Sequence, residues 1–426
     1  MDPLETPTLG AGIEARRFPQ ELFDHIIDHL HDHKDSLCQS SLVCRDWVPA
    51  SSYHLFDVFA WPPCKDRDQL CDPEVIGDCL FSSCIQRLKS STRVCEAVRR
   101  LFLSQHICPL RGFEAQSTSI TPQALVTIVD LLPRLQELVI IKCCLLRGPE
   151  IFAPRIERHL ERLTIFCSTI HQPFDVLTLF RDVSKVFLHY TGNTPPDAVA
   201  PIRSPQPDTT FIVHTLDVRD HPPDFLNLIM GWLTSIIFPP SIRRFELGDE
   251  LSPEACAAVQ HMTSLEHLSY DVSLDHAPQG LIMPCLVSLS VTGMFTVTGY
   301  PLVEEDDTWD AIIRDLRILV TDSMREVGII LSLEEGELYR NRVFPFTYLE
   351  DWLSGRDWEG LERILDEHPR LATLRFELHP FSVKGKREMH LHIGSVTKIA
   401  SRKLPRHASM LKVEPLGGSR LLAGYA

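Results

Sequence analysis

The hexapeptide VRRLFL at residues 98–103 contains the pattern that decides how most of this chain folds. Its apolar residues occupy positions one, four and six, and LQELVI at residues 135–140 repeats that arrangement. Side chains alternate along a strand, so positions four and six face one side while positions three, five and seven face the other. The pattern therefore predicts short strands that bury one face and present the opposite face to their surroundings.

The same pattern recurs at irregular intervals along the chain. Over the first eight copies the starting positions are 21 to 37 residues apart, which overlaps the repeat length of about 20–29 residues in leucine-rich repeats. One strand-and-helix unit cannot cover its own apolar face, so neighbouring units are expected to stack. The copies are Val98/Leu101/Leu103, Leu135/Leu138/Ile140, Leu160/Leu163/Ile165, Val183/Val186/Leu188, Val213/Leu216/Val218, Ile242/Phe245/Leu247, Leu265/Leu268/Tyr270, Leu286/Leu289/Val291, Met324/Val327/Ile329 and Leu371/Leu374/Phe376.

Helical patterns lie between these strands. Thr121-Pro122 and Ser252-Pro253 each match an N-cap followed by proline at the first helical position. The predicted helices cover residues 122–132, 224–238, 253–262 and 358–367. The fold class is therefore expected to be α/β, with an irregular leucine-rich-repeat-like solenoid whose parallel strands line the inner face of a horseshoe and whose helices lie outside.

Composition and charge exclude several classes of partner. The 426 residues include 42 Lys plus Arg and 57 Asp plus Glu, a net charge of −15 that disfavours binding to nucleic acid or to an anionic membrane. No apolar stretch reaches the roughly 18 residues that a membrane helix needs. Asp2 and Glu5 stand where a signal peptide carries basic residues. The 13 Cys, many beside apolar neighbours, indicate reduced thiols, so we expect a cytoplasmic or nuclear protein.

The same patterns divide the chain into three parts. Residues 1–16 contain Pro and Gly and few apolar residues, so we expect a disordered leader. Helical spacing fills much of 17–57, with a second helix ending at Pro49, after which Tyr53–Phe56 brings the chain to a short extended run. Residues 58–426 form the repeat region. It is expected to contain a proline-rich loop at 192–210, an acidic loop at 303–307 and a basic C-terminal segment that packs as a final unit.

Candidate metal and catalytic residues lack the spacing that the chemistry requires. His25 and His29 stand four apart on one helix face, as two metal ligands would, but no Cys or carboxylate follows at metal-site spacing. The cysteines from Cys64 to Cys95 contain no Cys-x-x-Cys knuckle. A hydrolase that uses one of the thiols would need a nearby His and a cleft, which the sequence does not locate. We therefore expect no metal, no cofactor and no catalytic activity.

Residues 18–56 resemble an F-box, and the resemblance rests on two motifs. The first is FPQELFDHIIDHL at 18–30, an apolar residue followed by proline, an acidic-Leu pair and an Ile-rich helix ending in Leu. The second is VCRDW at 43–47, which precedes HLF at 54–56. Phe18 replaces the usual Leu, a conservative apolar change. The F-box covers about a tenth of the chain, and together with irregular leucine-rich repeats it is similar to the F-box proteins that are numerous in fungi.

This resemblance implies a substrate-recognition subunit of an SCF-type cullin-RING ubiquitin ligase. The F-box would bind a Skp-type adaptor, the repeats would bind a protein substrate, and other subunits would transfer ubiquitin. A three-helix element of some forty residues is too small for a large core, so apolar residues are left over for a partner. The alternative is a repeat scaffold unrelated to ubiquitin, with the first helices as a cap. The expected adaptor-binding residues are Phe18, Pro19, Leu22, Ile26, Ile27, Leu30, Leu42, Val43 and Trp47.

The substrate is expected on the strand positions that face away from the helices. Apolar side chains on the early repeats beside charged side chains on the later ones suggest a hydrophobic anchor site with a charged selector. A register error of one residue, or a covering loop, would make the apolar residues part of the core instead. The expected substrate-binding residues are Phe102, Val139, Ile141, Phe166, Phe187, Asp217, Arg219 and Glu246.

Overall fold

A computed structural model gives the protein an α/β architecture with one large parallel sheet. The described residues are 20–43, 45–61, 76–104, 118–120, 122–141, 143–145, 159–167, 180, 182–190, 211–219, 237–297, 306–335, 350, 352–380 and 383–415. The expected leader at 1–16 and the proline-rich loop at 192–210 lie outside these residues, and so does nearly all of the helix expected at 224–238.

Short helices form the N-terminal element. They are α1 (Gln20–Asp28), α2 (Lys34–Val43) and α3 (Val48–Phe56), with a 3-10 turn at Arg45–Trp47. The second helix ends at Val43, earlier than expected. Pro49 does not end it but lies in the first turn of α3, where a missing N–H costs no helical hydrogen bond. Tyr53–Phe56 are helical, and the extended run to which they lead is the strand at Val58–Trp61.

The main sheet contains 12 strands, and every neighbouring pair is parallel. Their order in the sheet follows their order in the sequence, as stacked strand-and-helix units require. They are β1 (Val58–Trp61), β2 (Arg100–Ser104), β4 (Glu137–Ile141), β6 (His159–Cys167), β7 (Asp182–Tyr190), β8 (Ile212–Arg219), β9 (Arg244–Glu250), β10 (His267–Asp271), β11 (Ser288–Val297), β12 (Glu326–Glu335), β13 (Thr373–Pro380) and β14 (Leu411–Pro415). Two short strands, β3 (Thr118–Ile120) and β5 (Cys143–Leu145), pair separately.

Equivalent positions of the repeats lie side by side in the sheet. Leu101, Leu138 and Leu163, each at position four, are direct neighbours on β2, β4 and β6. Every residue at positions one, four and six of the ten copies is at most 8% exposed. The predicted alternation and register are therefore confirmed. Burial of these positions is favourable, because each large apolar side chain that is buried stabilises the fold by about 1.5–3 kcal/mol.

A tight turn before many of the strands fixes this register. In six of the copies, the backbone amide of the position-one residue donates to the carbonyl oxygen three residues earlier. The amide of Leu265, for example, donates to the carbonyl oxygen of Met262 at 3.0 Å. The position-two amide then reaches the preceding copy, as Glu266 does to the carbonyl of Arg243 at 2.7 Å. These hydrogen bonds therefore fix the register of each strand relative to its neighbour.

Helices of the repeat region cover the apolar face of the sheet. They are α4 (Ile76–Lys89), α5 (Thr92–Ala97), α6 (Pro122–Leu131), α7 (Pro253–Gln260), α8 (Asp306–Leu319), α9 (Trp358–Glu367) and α10 (Val383–Lys403). Val259, Ile312 and Leu361 from three of them are buried in one cluster with the strand residues. Ser252 caps α7 as predicted, accepting from the amide of Ala255 at 3.2 Å. None of the described helices has the length and apolar content to cross a bilayer.

The acidic segment and the C-terminal segment have different outcomes. Asp306 and Asp307, expected in a loop, begin α8, where acidic residues suit the positive end of the helix dipole. The basic C-terminal segment is packed as predicted, since Val396, Ile399 and Leu404 are buried. The chain then reaches β14 at the edge of the sheet.

Candidate protein-binding surfaces

The N-terminal helices enclose a small interior. Ile27 of α1 has no exposed surface, and the ring of Phe23 lies 5.4 Å from the ring of Trp47. His54 of α3 makes a 2.7 Å hydrogen bond with the carboxylate of Asp28 on α1. These contacts hold the helices in a defined arrangement.

The same helices expose apolar side chains. Leu22 and Ile26, four residues apart on α1, are 47% and 52% exposed, and Leu42 and Val43 at the end of α2 are 85% and 64% exposed. Single exposed apolar residues are common, and here four of them lie on two short helices. These four residues are called the N-terminal apolar surface below.

A polar contact connects the two parts of this surface. The side-chain amide of Gln20, at the start of α1, donates to the backbone oxygen of Asp46 at 3.1 Å. Asp46 lies three residues after Val43. The first turn of α1 is therefore held beside the segment that follows α2.

The residues expected to bind an adaptor fall into three groups. Leu22, Ile26, Leu42 and Val43 form the exposed surface, whereas Leu30 and Trp47 are half-buried. Ile27 is fully buried, because successive residues of a helix point about 100° apart, and its role is to support the interior. Phe18 and Pro19 lie outside the described residues.

The N-terminal element is attached to the first repeat. The guanidinium of Arg99 lies 4.7 Å from the centre of the Tyr53 ring on α3. Arg100 at the start of β2 donates through Nε to the Asp57 carboxylate at 3.0 Å. The helices therefore lie at the β1 end of the sheet, where β1 is the edge strand.

The second candidate surface is the face of the main sheet that carries positions three, five and seven, called the open face below. Five apolar residues were expected to form a hydrophobic anchor on this face. Four of them are half-buried, namely Phe102, Ile141, Phe166 and Phe187. Val139 has no exposed surface, so it is not available to a partner in this structure. Val139 is not part of the main core cluster. Alternation places its side chain on the open face, but it does not predict that the side chain is buried there.

Two of these aromatic rings already have partners on neighbouring strands. Phe166 stacks on His189, with 5.6 Å between ring centroids. The guanidinium of Arg162 lies 5.5 Å from the centre of the Phe187 ring. Such contacts restrict the rings, so this part of the open face is pre-ordered.

The charged residues expected as a selector form an ion-pair network across β8 and β9. Arg219 donates through Nε to Asp217 at 2.7 Å and through a terminal nitrogen to Glu246. Arg244 donates through Nε to the other oxygen of Glu246 at 2.6 Å. Asp217 is 4% exposed and Glu246 is 6% exposed, whereas both arginine side chains are partly exposed. The carboxylates therefore position the arginines and are not themselves accessible as contact residues.

The buried carboxylates are electrostatically coupled. Burial raises the pKa of Asp217, and the nearby Glu246 raises it further, whereas Arg219 opposes the rise. Removing Arg219 would therefore leave two buried carboxylates close to one another. Arg219 is the guanidinium that the two carboxylates share, whereas Arg244 contacts Glu246 alone.

A pocket lies on the open face beside this network. It has a volume of about 400 Å³, which includes the solvent above it. Arg244 and Glu246 form one wall, and Glu326 and Arg375 form the other. The remaining polar residues that line it are His267, Ser269, Ser288 and Ser290.

Sequence reasoning located only part of this pocket. Ser269, Ser290 and Arg375 occupy position five of their copies and were expected on the open face. Arg244 and His267 occupy position three, which alternation places on the same face. The repeat pattern therefore predicts the face on which these two residues lie. It does not predict that side chains from several strands form one pocket.

A third polar cluster has the residue types of a hydrolase triad. Asp182 contacts Nδ1 of His159, and the hydroxyl of Ser184 lies 3.4 Å from Nε2 of the same ring. The side chains of His159 and Asp182 are 52% and 25% exposed. Nucleophilic catalysis needs an enclosed, preorganised site, and these strand-start residues are open to water. The cluster is consistent with a surface hydrogen-bond network.

The histidines of α1 do not gather metal ligands. The rings of His25 and His29 lie 4.7 Å apart, centre to centre. In the part of the chain that the structure describes, no group of three or more His, Cys, Asp or Glu side chains could hold a metal ion.

Comparison with protein-family models and with curated proteins finds no match to this chain.

Proposed function

We propose that this protein is the substrate-recognition subunit of an SCF-type cullin-RING ubiquitin ligase, with its N-terminal element as an F-box that binds a Skp-type adaptor. The repeat region, a leucine-rich-repeat horseshoe in this proposal, binds a protein substrate on its open face. Ubiquitin transfer belongs to other subunits, and the chain itself carries no cofactor.

The N-terminal apolar surface is the observation that carries the proposal. Leu22 and Ile26 belong to the first F-box-like motif, and Val43 begins the second. All three are exposed while Ile27, in the same motif, is buried. A helical element that keeps its own interior and still exposes motif residues has the properties of a docking surface for a partner helix.

The open face supports the second half of the proposal. Half-buried aromatic residues on β2, β6 and β7 adjoin the charged network of β8 and β9. Aromatic and arginine side chains are the residue types enriched at the energetic centres of protein interfaces. This combination favours a protein ligand.

Adaptor capture by variants of the full chain tests the proposal. The double variant Leu22→Ala with Ile26→Ala should lose binding to an immobilised Skp-type adaptor, because each anchor at such an interface is worth about 2 kcal/mol or more. Ile282→Ala is the matched control, since Ile282 is 82% exposed and lies in the repeat region. It should bind like the unaltered protein.

The result also separates the proposal from a plain repeat scaffold. Both variants remove exposed side chains, so both should keep the thermal transition of the unaltered protein. A folded Leu22/Ile26 variant that still binds the adaptor would rule out the F-box assignment. Failure of the unaltered chain to bind any Skp-type adaptor would favour the alternative, in which the helices cap the first repeat.

A further inference from the structure

Two histidines lie beside the N-terminal apolar surface on α1. His25 is three residues after Leu22, and His29 is three residues after Ile26. Residues three and four apart are neighbours on a helix, and at about 100° per residue the four side chains fall within about 100° of the circumference of α1. Both histidines are exposed, as are Leu22 and Ile26, whereas Ile27 on the other side of the helix is buried. This set, Leu22, His25, Ile26 and His29, is called the α1 strip below.

The two histidine rings of the strip contact each other. Their centroids are 4.7 Å apart and their planes meet at 68°, an edge-to-face arrangement that is favourable between uncharged rings. The ion pairs in the described part of the N-terminal element involve His31 and His54, and neither His25 nor His29. Protonation of both rings would place two positive charges side by side, and like charges at so short a distance repel each other. The strip is therefore a better contact surface when the pair is uncharged.

The carboxylates of α1 lie outside the strip. Asp24 accepts a 2.9 Å hydrogen bond from the side-chain amide of Gln20, and Asp28 is paired with His54. Glu21 is the remaining carboxylate on this helix, and within the described residues it forms no ion pair. Within the strip, only the two histidines change charge near neutral pH.

The elements packed against α1 are α3 and the 3-10 turn that follows α2. Their titratable and charged groups are Tyr53 and His54 on α3, and Arg45 and Asp46 in the turn. Tyrosine, arginine and carboxylate side chains ordinarily keep their charge between about pH 5 and 8. His54 lies 2.7 Å from the carboxylate of Asp28, a contact that protonation of its ring would strengthen. Mild acid therefore keeps the interior of the element together while it adds charge to the strip.

Docking of a partner on the α1 strip would remove water from both histidine rings. An uncharged imidazole loses little by this, whereas an imidazolium loses the hydration of its charge. Binding therefore favours the uncharged form of the pair, and by linkage it becomes weaker as the rings take up protons. Histidine is the side chain whose charge ordinarily changes between about pH 5 and 8, so the effect falls close to neutral pH.

We propose that His25 and His29 are contact residues of the adaptor-binding surface and that their protonation weakens adaptor binding. The α1 strip is in this way a pH-sensitive docking surface for the Skp-type adaptor. The inference rests on the proposed function and deepens it, because it adds two contact residues and a regulating condition to the surface formed by Leu22 and Ile26.

The affinity of the full chain for an immobilised Skp-type adaptor, measured at about pH 7.5 and at about pH 5.5, tests the proposal. The unaltered chain should bind more weakly at the lower pH. The double variant His25→Gln with His29→Gln carries polar amides that have no charge at either pH. The ratio of the two affinities should be about tenfold larger for the unaltered chain than for this variant, because one pKa unit of differential interaction corresponds to a factor of ten. Titration of the adaptor itself is common to every protein tested.

His33→Gln is the matched control, because His33 is exposed on the same N-terminal element and lies outside the α1 strip. It should keep the full ratio of the unaltered chain. All three proteins should keep their thermal transition at both pH values, since the altered side chains are exposed. Equal ratios in the unaltered chain and the double variant, or a larger gain in affinity on acidification for the unaltered chain, would overturn this proposal alone. Absence of adaptor binding at both pH values would overturn it together with the proposed function.

Discussion

The hydroxyl of Tyr270 on β10 donates a 2.9 Å hydrogen bond to a carboxylate oxygen of Asp315 on α8. Both residues are 1% exposed, so the bond lies between the sheet and the helices. The other oxygen of Asp315 accepts from Nε of Arg314 at 2.9 Å, and Arg314 also donates to the backbone oxygens of Ser273 and His276. A buried polar chain therefore connects strand, helix and loop.

Tyr270→Phe should lower the free energy of unfolding by about 1.5–3 kcal/mol, the range for a hydrogen bond to a charged group. Burial raises the pKa of Asp315, and the hydrogen bond from Tyr270 opposes that rise. Without the hydroxyl, the ionised carboxylate is penalised further. At a pH above the pKa of Asp315 in the variant, the variant should therefore show the whole loss of stability. At a pH below the pKa of Asp315 in the unaltered protein, where this carboxyl is protonated in both proteins, the difference in stability should disappear.

Urea unfolding of both proteins at a series of pH values from about 8 to about 4 measures this difference. The two curves of stability against pH should converge on acidification. A constant gap across the series would mean that the hydroxyl acts through packing and not through Asp315.

Arg219→Gln should be far more damaging than the loss of a surface arginine. It leaves Asp217 and Glu246 buried without their shared partner, at an expected cost of about 3 kcal/mol. Arg243→Gln removes a pair with Glu266 whose side chains are 62% and 42% exposed, and it should cost about 0–1 kcal/mol. Chemical denaturation of the two variants measures the contrast.

Acid should reduce the effect of Arg219→Gln. The pKa of Asp217 is already raised by burial, and the variant removes the cation that opposes this rise. Protonation of Asp217 as pH falls through that raised pKa then relieves the repulsion, whereas at neutral pH the penalty is present in full. Equal stability of the two variants at neutral pH would show that the network contributes no more than a surface pair.

Thiol labelling should separate the described cysteines into two groups. Burial raises the pKa of Cys84 to about 12, and it also raises the pKa of Cys95 and of Cys256. Cys38 and Cys285 are exposed. Iodoacetamide at about pH 8 should modify the exposed pair in the native protein and reach the other three after unfolding, because the thiolate is the reactive species. Peptide mass spectrometry identifies the sites, and rapid native labelling of Cys84 would show that the α4 region opens.

The strands could be predicted because their signal is local. Position one, four and six residues such as Leu160, Leu163 and Ile165 need only their own alternation to define a buried face. Helix starts at Pro122 and Pro253 were predictable for the same reason, since a cap and a proline lie together in sequence. Pro49 shows the limit: the same residue ends one helix or begins another, and tertiary packing decides which.

The open face was less predictable because burial there depends on distant residues. Val139, Asp217 and Glu246 occupy outward positions, as alternation requires, and are nevertheless covered by neighbouring side chains or segments. The pocket unites Arg244 with Arg375, which are far apart in sequence and meet only after the strands stack. One-dimensional patterns assign a face to each residue, but they do not give its exposure.

Amide hydrogen exchange of the full chain, with and without a Skp-type adaptor, tests the central claim most directly. The account predicts slower exchange on adaptor binding in α1, α2 and the turn at 45–47, with β9 to β13 unchanged. Unchanged exchange in α1 and α2, or protection confined to the repeat strands while the adaptor is bound, would contradict the assignment of the N-terminal element as an F-box.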